Sequence, residues 1–562
     1  MSVQKEAQQT TPSPARRAAQ NDFQRIIVPP DAGMHGTPAL LAMFGIMAVV
    51  LLSALDQTII GTALPRVVAE LQGFSLYAWV ATSYLLTSTV MVPIMGKMGD
   101  LYGRKPFLLA SVIIFVGASA AAGASQTMIF LILARGVQGI GAGMLQATAF
   151  TSVSDMFPQP ERRARWQGLI TSTFGIASVV GPSLGGIMTD TLGWRSVFYV
   201  NLPIGILAIA LIWFTLPANL SPRQPRARID WAGTATITLS ISAFLLAVEW
   251  GGEVMPWLSP AIIGLLALCV VTLGMFAYIE RRAPEPLIPL DLFKSRTITI
   301  SSIISLLIGF ALFALVYYTP LLFQGGLGLS PSAAGALQTP LAVCTAIGSL
   351  TSGQVFARIR QMKPLMLTGA VFLLIGTGLL LGVDAQVSPT VLSAELALTG
   401  LGVGMQLPLL TILVQSIVPR ERLGVGTATI QFLRLIGSTV GTAVVGAAVN
   451  AIFAAQMAAA IPAGTDPRIA SAFESPQTLI NPEAQAQIQA LGQQLGPGGA
   501  AQIQQLITAS HSALIEGIRV GYIMALVVSV LVVLLLLILR TPDFRSDGSV
   551  PVRPAEGTME AL

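Results

Sequence analysis

Fourteen apolar runs of about 20 residues dominate the chain, and that length carries a helix across a bilayer. Only 10% of the residues are charged and 53% are hydrophobic, whereas soluble domains run near ~25% charged. The runs show almost no strand-like alternation. A bilayer core leaves helices or closed barrels as the spanning structures, so the expectation is helices. The predicted fold is an all-α polytopic membrane protein with fourteen transmembrane helices. No nucleophile–base set and no G-x-x-x-x-G-K-[ST] phosphate loop occurs, so neither an enzyme nor an ATP-driven pump is expected. The net charge of +5 does not point to nucleic acid, because the basic residues sit in short loops, where they set topology.

That topology can be read from the same residues. With the N-terminus inside, 25 of the 31 Lys and Arg fall on inner loops and tails, four on outer segments and two within spans. The bias predicts both termini in the cytoplasm and a multi-pass protein of the cell (cytoplasmic or inner) membrane. The loop GKMGDLYGRK (Gly96–Lys105) follows the second span, and a weaker echo, GQVFARIRQMK (Gly353–Lys363), follows the tenth. Spans 1–6 and 9–14 then form two six-helix repeats with spans 7 and 8 inserted between them. Paired repeats with a site between them are a transporter architecture. The expected domains are a tail at 1–38, a six-helix bundle at 39–216, a linker with inserted helices 7 and 8 at 217–296, a second bundle at 297–540 and a tail at 541–562. The first tail is rich in Ala, Gln, Thr and Pro and reads as disordered. Within the second bundle, 453–516 is a long outer loop between helices 13 and 14, and Asn481–Ser510 is expected to form short amphipathic helices. The loop reads as a lid, as a surface for a periplasmic adaptor or lipid carrier, or as a loosely ordered linker.

Charges inside spans carry the chemical signal. Asp56 lies in the first span, followed by Gln57, Thr58 and Thr62. A carboxylate there costs roughly 2.5–3.5 kcal/mol to insert, which makes it a functional candidate by default. The expectation is a proton-titrated or cation-sensing group facing a central cavity; the alternative is a bond to a neighbouring helix. Arg135 in the fourth span, within LARGVQGIGAG (Leu133–Gly143), must meet an acid, carbonyls or water. Gln138 adds a polar group, and the glycines around it permit close helix approach. In the inner loop, Gly96, Gly99 and Gly103 allow a tight turn, and Asp100, Arg104 and Lys105 put opposite charges there, a gating cluster. Gly181, Pro182, Gly185 and Gly186 in the fifth span form a hinge or flexible packing seam. Glu249 stands at the outer end of the seventh span, Glu395 in the twelfth is a second proton or substrate carboxylate or a rim charge, and Arg434 is the second half's buried cation. Trp79, Phe310, Tyr317, Tyr318 and Gln324 are candidates to line an aromatic cavity suited to flat lipophilic cations. Cys269 and Cys344 read as packing thiols, and two distant histidines, His35 and His511, give no metal site.

These motifs together resemble the fourteen-helix drug:proton antiporter branch of the major facilitator superfamily. GKMGDLYGRK is similar to that superfamily's loop motif between helices 2 and 3, LARGVQGIGAG to its helix-4 motif with an intramembrane Arg, and GPSLGG (Gly181–Gly186) to the antiporter signature. The signature's earlier glycine is Ala177 here, which stays small. LDQTIIGTALP (Leu55–Pro65), GWRSVFYVNLPIG (Gly193–Gly205) and LLFQGGLGLSPSAAG (Leu321–Gly335) also resemble the branch. The resemblance implies alternating access, with proton influx driving export of a lipophilic small molecule and no cofactor beyond the proton gradient. It implies that Asp56 is the protonation or cation-recognition site, with Arg135 favouring its ionised form. It also implies that Asp100 meets the N-terminal end of helix 13 near Gly424, where the helix dipole favours an anion. A dedicated exporter of one metabolite, antibiotic or lipid and a non-transporting membrane sensor are the rival readings.

Overall fold

The computed structural model describes residues 24–27, 33–71, 76–218, 229–252, 255–384, 386–462, 496–542, 544 and 549–552, with a few scattered positions between 465 and 490. Fourteen helices among them are long and apolar enough to cross a membrane, and the chain is a multi-pass all-α membrane protein. They are α1 (Gly36–Leu71), α2 (Tyr77–Tyr102), α3 (Arg104–Gly123), α4 (Met128–Met156), α5 (Pro160–Leu192), α6 (Asn201–Thr215, which spans together with the short helix Ser196–Tyr199 before it), α7 (Trp231–Trp250), α8 (Pro260–Glu280), α9 (Arg296–Leu321), α10 (Pro331–Ile359), α11 (Met362–Leu379), α12 (Pro389–Ile417), α13 (Leu423–Ala460) and α14 (Gly496–Ile538).

Local chemistry sets where these helices begin. Proline occupies the first turn of α5, α8, α10 and α12, where its missing N–H costs nothing. Asp230 Oδ1 accepts the Gly233 N–H at the start of α7, and the Thr127, Ser259 and Ser330 hydroxyls do the same for α4, α8 and α10. Between α2 and α3 the break is a single residue, Gly103, whose φ of +94° is strained for any side chain. The inner loop read from the sequence is thus mostly helix: Gly96 to Tyr102 is the last part of α2.

Buried apolar clusters group the helices. Residues of α1 to α6 form two, including Ile46, Val112 and Phe115 in one and Ile59, Leu131 and Phe198 in the other. Residues of α9 to α14 form two more, around Ile304, Met366 and Leu409 and around Leu322, Phe453 and Ile518. The α7–α8 pair docks separately: Ile237, Ile241, Leu245 and Phe276 pack against Val90 of α2, with Phe432 of α13 alongside. The inserted pair therefore lies along the seam where α2 and α13 meet.

Two further sequence expectations are corrected. Residues 496–510 are not separate short helices, because α14 runs unbroken from Gly496 to Ile538. Most of the rest of 453–516 beyond α13 lies outside the described residues, although Ile469, Phe473, Leu479 and Ile488 are buried against the second bundle's cluster. The first tail, expected to be disordered, contributes β1 (Gln24–Ile27), which pairs antiparallel with β2 (Ser549–Val552) of the last tail. Apart from residues 33–38, 541, 542 and 544, the remainder of both tails lies outside the described residues.

Candidate functional site

Asp56 sits two-thirds of the way along the apolar part of α1 and is 3% exposed. Its Oδ2 accepts from Arg135 Nη1 at 2.5 Å, and its Oδ1 accepts from Gln138 Nε2 at 2.7 Å and Asn201 Nδ2 at 3.2 Å. Ser119 Oγ in turn accepts from Gln138 and Asn201. Helices α1, α3, α4 and α6 thus converge on one carboxylate. Arg135 also donates from Nη1 to Gln138 Oε1 (2.9 Å) and from Nε to the Val80 carbonyl (3.4 Å), and its guanidinium lies 4.3 Å over the Tyr84 ring. An ion pair in this setting persists only when every charge is met, as it is here.

Sequence reasoning placed Asp56 on a central cavity, and the structure corrects this. The carboxylate is enclosed within the first bundle, with α2 as the partition. Val80 and Tyr84 of α2 face the Asp56–Arg135 pair, whereas Trp79, Thr82 and Leu85 on its other side line a cavity of about 600 Å³. Gln57, the neighbour of Asp56, also reaches that cavity. The remaining walls come from α9 (Phe313, Tyr317, Tyr318), α13 (Ser438, Thr442, Asn450) and the end of α7 (Glu249, Trp250). The cavity lies at the face opposite the basic loops.

Of the five cavity candidates, Trp79, Tyr317 and Tyr318 line this space. Phe310 and Gln324 do not: the Phe310 backbone packs on Gly441, and Gln324 falls in the π-helical turn after α9. Glu395 and Arg434 are both half-buried in the second bundle. Neither joins the Asp56 cluster nor lines the cavity. Asn201 and Ser119, which complete the Asp56 cluster, went unpredicted.

At the basic face the two bundles are closed on each other. Asp100 Oδ1 and Oδ2 accept from the backbone N–H groups of Gly424 (2.8 Å) and Val425 (2.9 Å), at the N-terminus of α13. Arg104 pairs with Asp100 and, at 3.0 Å, with Asp155 of α4. Gly96 lets α2 approach: a Cβ there would meet the Gly424 carbonyl oxygen at 2.8 Å. Gln167 of α5 and Gln415 of α12 both donate to the Phe150 carbonyl, and Gln415 also donates to Thr427 of α13. Lys105 does not join the Asp100 cluster; its Nζ donates to the Trp213 and Leu216 carbonyls at the end of α6. In α5, Gly181 and Gly185 pack on Thr58 and Thr62 of α1, and Gly186 faces open space. Pro182 leaves α5 continuous in this conformation.

Known proteins share the sequence pattern and the fold of this chain. The Major Facilitator Superfamily model matches residues 46–442. The chain is 39% identical over 413 residues to Multidrug transporter protein MdtP of Bacillus subtilis (strain 168), covering 73% of this chain and 75% of that protein. It is 37% identical over 412 residues to Multidrug resistance protein 3 of the same organism, covering 73% and 80%. Among solved structures, the human organic anion transporter MFSD10 has the same fold, with a TM-score of 0.56 at 14% identity over 87% of this chain and 100% of that one. The proton:xylose symporter XylE aligns with a TM-score of 0.53 at 14% identity, over 90% and 96%. The sequence match along most of the chain and the shared helical fold make this protein a membrane transporter, not an enzyme, and it belongs to the Major Facilitator Superfamily.

Proposed function

We propose that the protein is a proton-coupled antiporter that exports amphipathic, often cationic, compounds from the cytoplasm by alternating access. The observation that carries this reading is the Asp56 carboxylate, buried in a membrane-spanning bundle and held by Arg135, Gln138 and Asn201. All three partners donate to its two oxygens. A proton arriving at Asp56 removes the charge that Arg135 balances and leaves that guanidinium seeking another partner. Arg135 also bonds the Val80 carbonyl of α2, so the change reaches the helix that lines the cavity. With the basic face taken as cytoplasmic, the conformation described is closed inside, with the cavity in the outer half. The relatives named as multidrug transporters support a drug-like substrate.

Inverted vesicles carrying the wild type or Asp56→Asn test this reading. A proton gradient is imposed, unrelated dyes and drugs are added, and proton release is recorded beside substrate uptake. The expected result is discharge of the gradient by several lipophilic cations in the wild type alone. Full exchange by Asp56→Asn would remove Asp56 from the mechanism. Discharge by one endogenous metabolite or lipid and by no drug would make the protein a dedicated exporter.

A further inference from the structure

The inserted helix pair has no role in the mechanism above, yet it supplies part of the cavity wall. Ile237, Ile241 and Leu245 hold α7 along the α2–α13 seam, and its last turn delivers Glu249 and Trp250 into the space between the bundles. Among the described residues that line this cavity, Glu249 is the only carboxylate and none is Lys or Arg. Thr82 of α2 orients the acid by donating to Oε1 at 2.9 Å. Around it stand Trp79 and Trp250, edge to face at 5.7 Å, with Phe313, Tyr317 and Tyr318 on the facing bundle.

We infer that Glu249 is the cation-recognising carboxylate of the substrate site, and that the inserted pair makes the cavity selective for monovalent organic cations with an aromatic body. Rings offer their negative faces to a bulky, weakly hydrated cation, and one acid balances one charge. A strongly hydrated metal ion gains little from such walls. The division of labour is spatial: Asp56 takes the proton on one side of α2, and Glu249 takes the substrate on the other. Thr82 and Val80 link both events to the same helix. This inference rests on the export reading and names the substrate class of that site.

Purified protein in detergent provides the test, through equilibrium binding of tetraphenylphosphonium and of triphenylphosphine oxide, a neutral molecule of similar bulk. Glu249→Gln is expected to weaken tetraphenylphosphonium binding by about ten- to a hundredfold, the loss of one close charge in a partly wet site. The same variant should leave the neutral probe unchanged, and Glu249→Asp should retain cation preference. Asp56→Asn should still bind the cation. Wild-type affinity for tetraphenylphosphonium in Glu249→Gln overturns the inference, as does equal loss of both probes, because that reports a collapsed cavity. A wild type that binds no cation overturns it too. Failure of proton exchange in vesicles, with charge-selective binding intact, would strike the antiport reading alone.

Discussion

Arg135 is the residue whose loss should cost most. It is 1% exposed and pairs with Asp56, so truncation strands that carboxylate in an apolar bundle. Breaking one partner of a buried pair costs about 3–5 kcal/mol. Arg135→Ala should therefore melt well below the wild type in detergent, and Arg135→Ala with Asp56→Asn should recover much of the loss, because the stranded charge is gone. Equal melting of wild type and Arg135→Ala would show that the pair is not a stabilising unit. A milder pair lies at the opposite face, beyond the apolar part of α1. There Glu70 accepts from Arg195 and from Trp194 Nε1, and these hydrogen bonds, Arg195 first, hold its carboxyl below the usual range. A lowered native value means the contribution is complete above the ordinary glutamate range and fades as pH falls through the native one. The melting difference between wild type and Glu70→Gln should thus shrink on acidification; a difference that grows would contradict it. Asp56 and Arg135 were legible in the sequence because charge within an apolar run stands out, and Asp100 because it stands with Arg104 and Lys105 in a glycine-spaced inner loop. Asn201 and Ser119 were not, since neutral polar side chains are common in spans and their facing is set by packing. Glu249 was visible as an acid at a helix end, but only the docking of α7 on α2 turns it from a rim charge into a cavity wall.

Among the elements, the two repeats reveal themselves in a pair of lysines. Lys105, just inside α3, donates to the Trp213 and Leu216 carbonyls that end α6. Lys363, just inside α11, donates to the Leu537 and Leu539 carbonyls that end α14, at 2.8 and 3.0 Å. Each repeat thus uses the lysine that closes its inner loop to satisfy the orphan carbonyls of its own last helix. The weak echo between Gly96–Lys105 and Gly353–Lys363 preserves this capping lysine. The acid itself is not repeated: counted back from the lysine, the position of Asp100 holds Arg358, and the end of α10 instead meets the first turn of α5 through Arg360 Nε and Glu161 Oε1 at 2.9 Å. Lys363→Met should fray the last turn of α14 at a cost of about 0.3–1 kcal/mol. Faster amide exchange confined to the end of α14 is the expected signature, and exchange identical to the wild type would deny the cap. Helix existence was legible from apolar length, whereas helix ends were not. The Gly96–Tyr102 stretch looked like a loop for its glycines and charges, but Gly96 serves helix approach and Gly103 alone makes the turn.

For the whole molecule, the question is whether the basic-face closure is one state of a cycle or a permanent weld. The α5–α10 seam decides it, because its closeness depends on small residues. Gly168 packs on the Ser349–Leu350 backbone and Gly175 on Ala342 and Ala346. At Gly353 a Cβ would meet the Ala164 carbonyl carbon at 3.1 Å and Gly168 Cα at 3.5 Å. Backbone cannot yield as a long side chain can, so valine at 353 should penalise the closed seam by about 1–3 kcal/mol. A conformation with the bundles parted at this face carries no such penalty. A bias of that size moves a two-state balance by roughly 5- to 150-fold. Spin labels at Arg165 and Arg358, both exposed, would report the separation once Cys269 and Cys344 are replaced by serine. The wild type should show a short distance as a major population, and Gly353→Val should move weight to a longer one without unfolding. Asp100→Asn should push in the same direction, since it weakens the anion at the α13 N-terminus. Should Gly353→Val keep the short distance and only melt earlier, the seam would be fixed packing, and the opening of the basic face would have to run through another pair of helices.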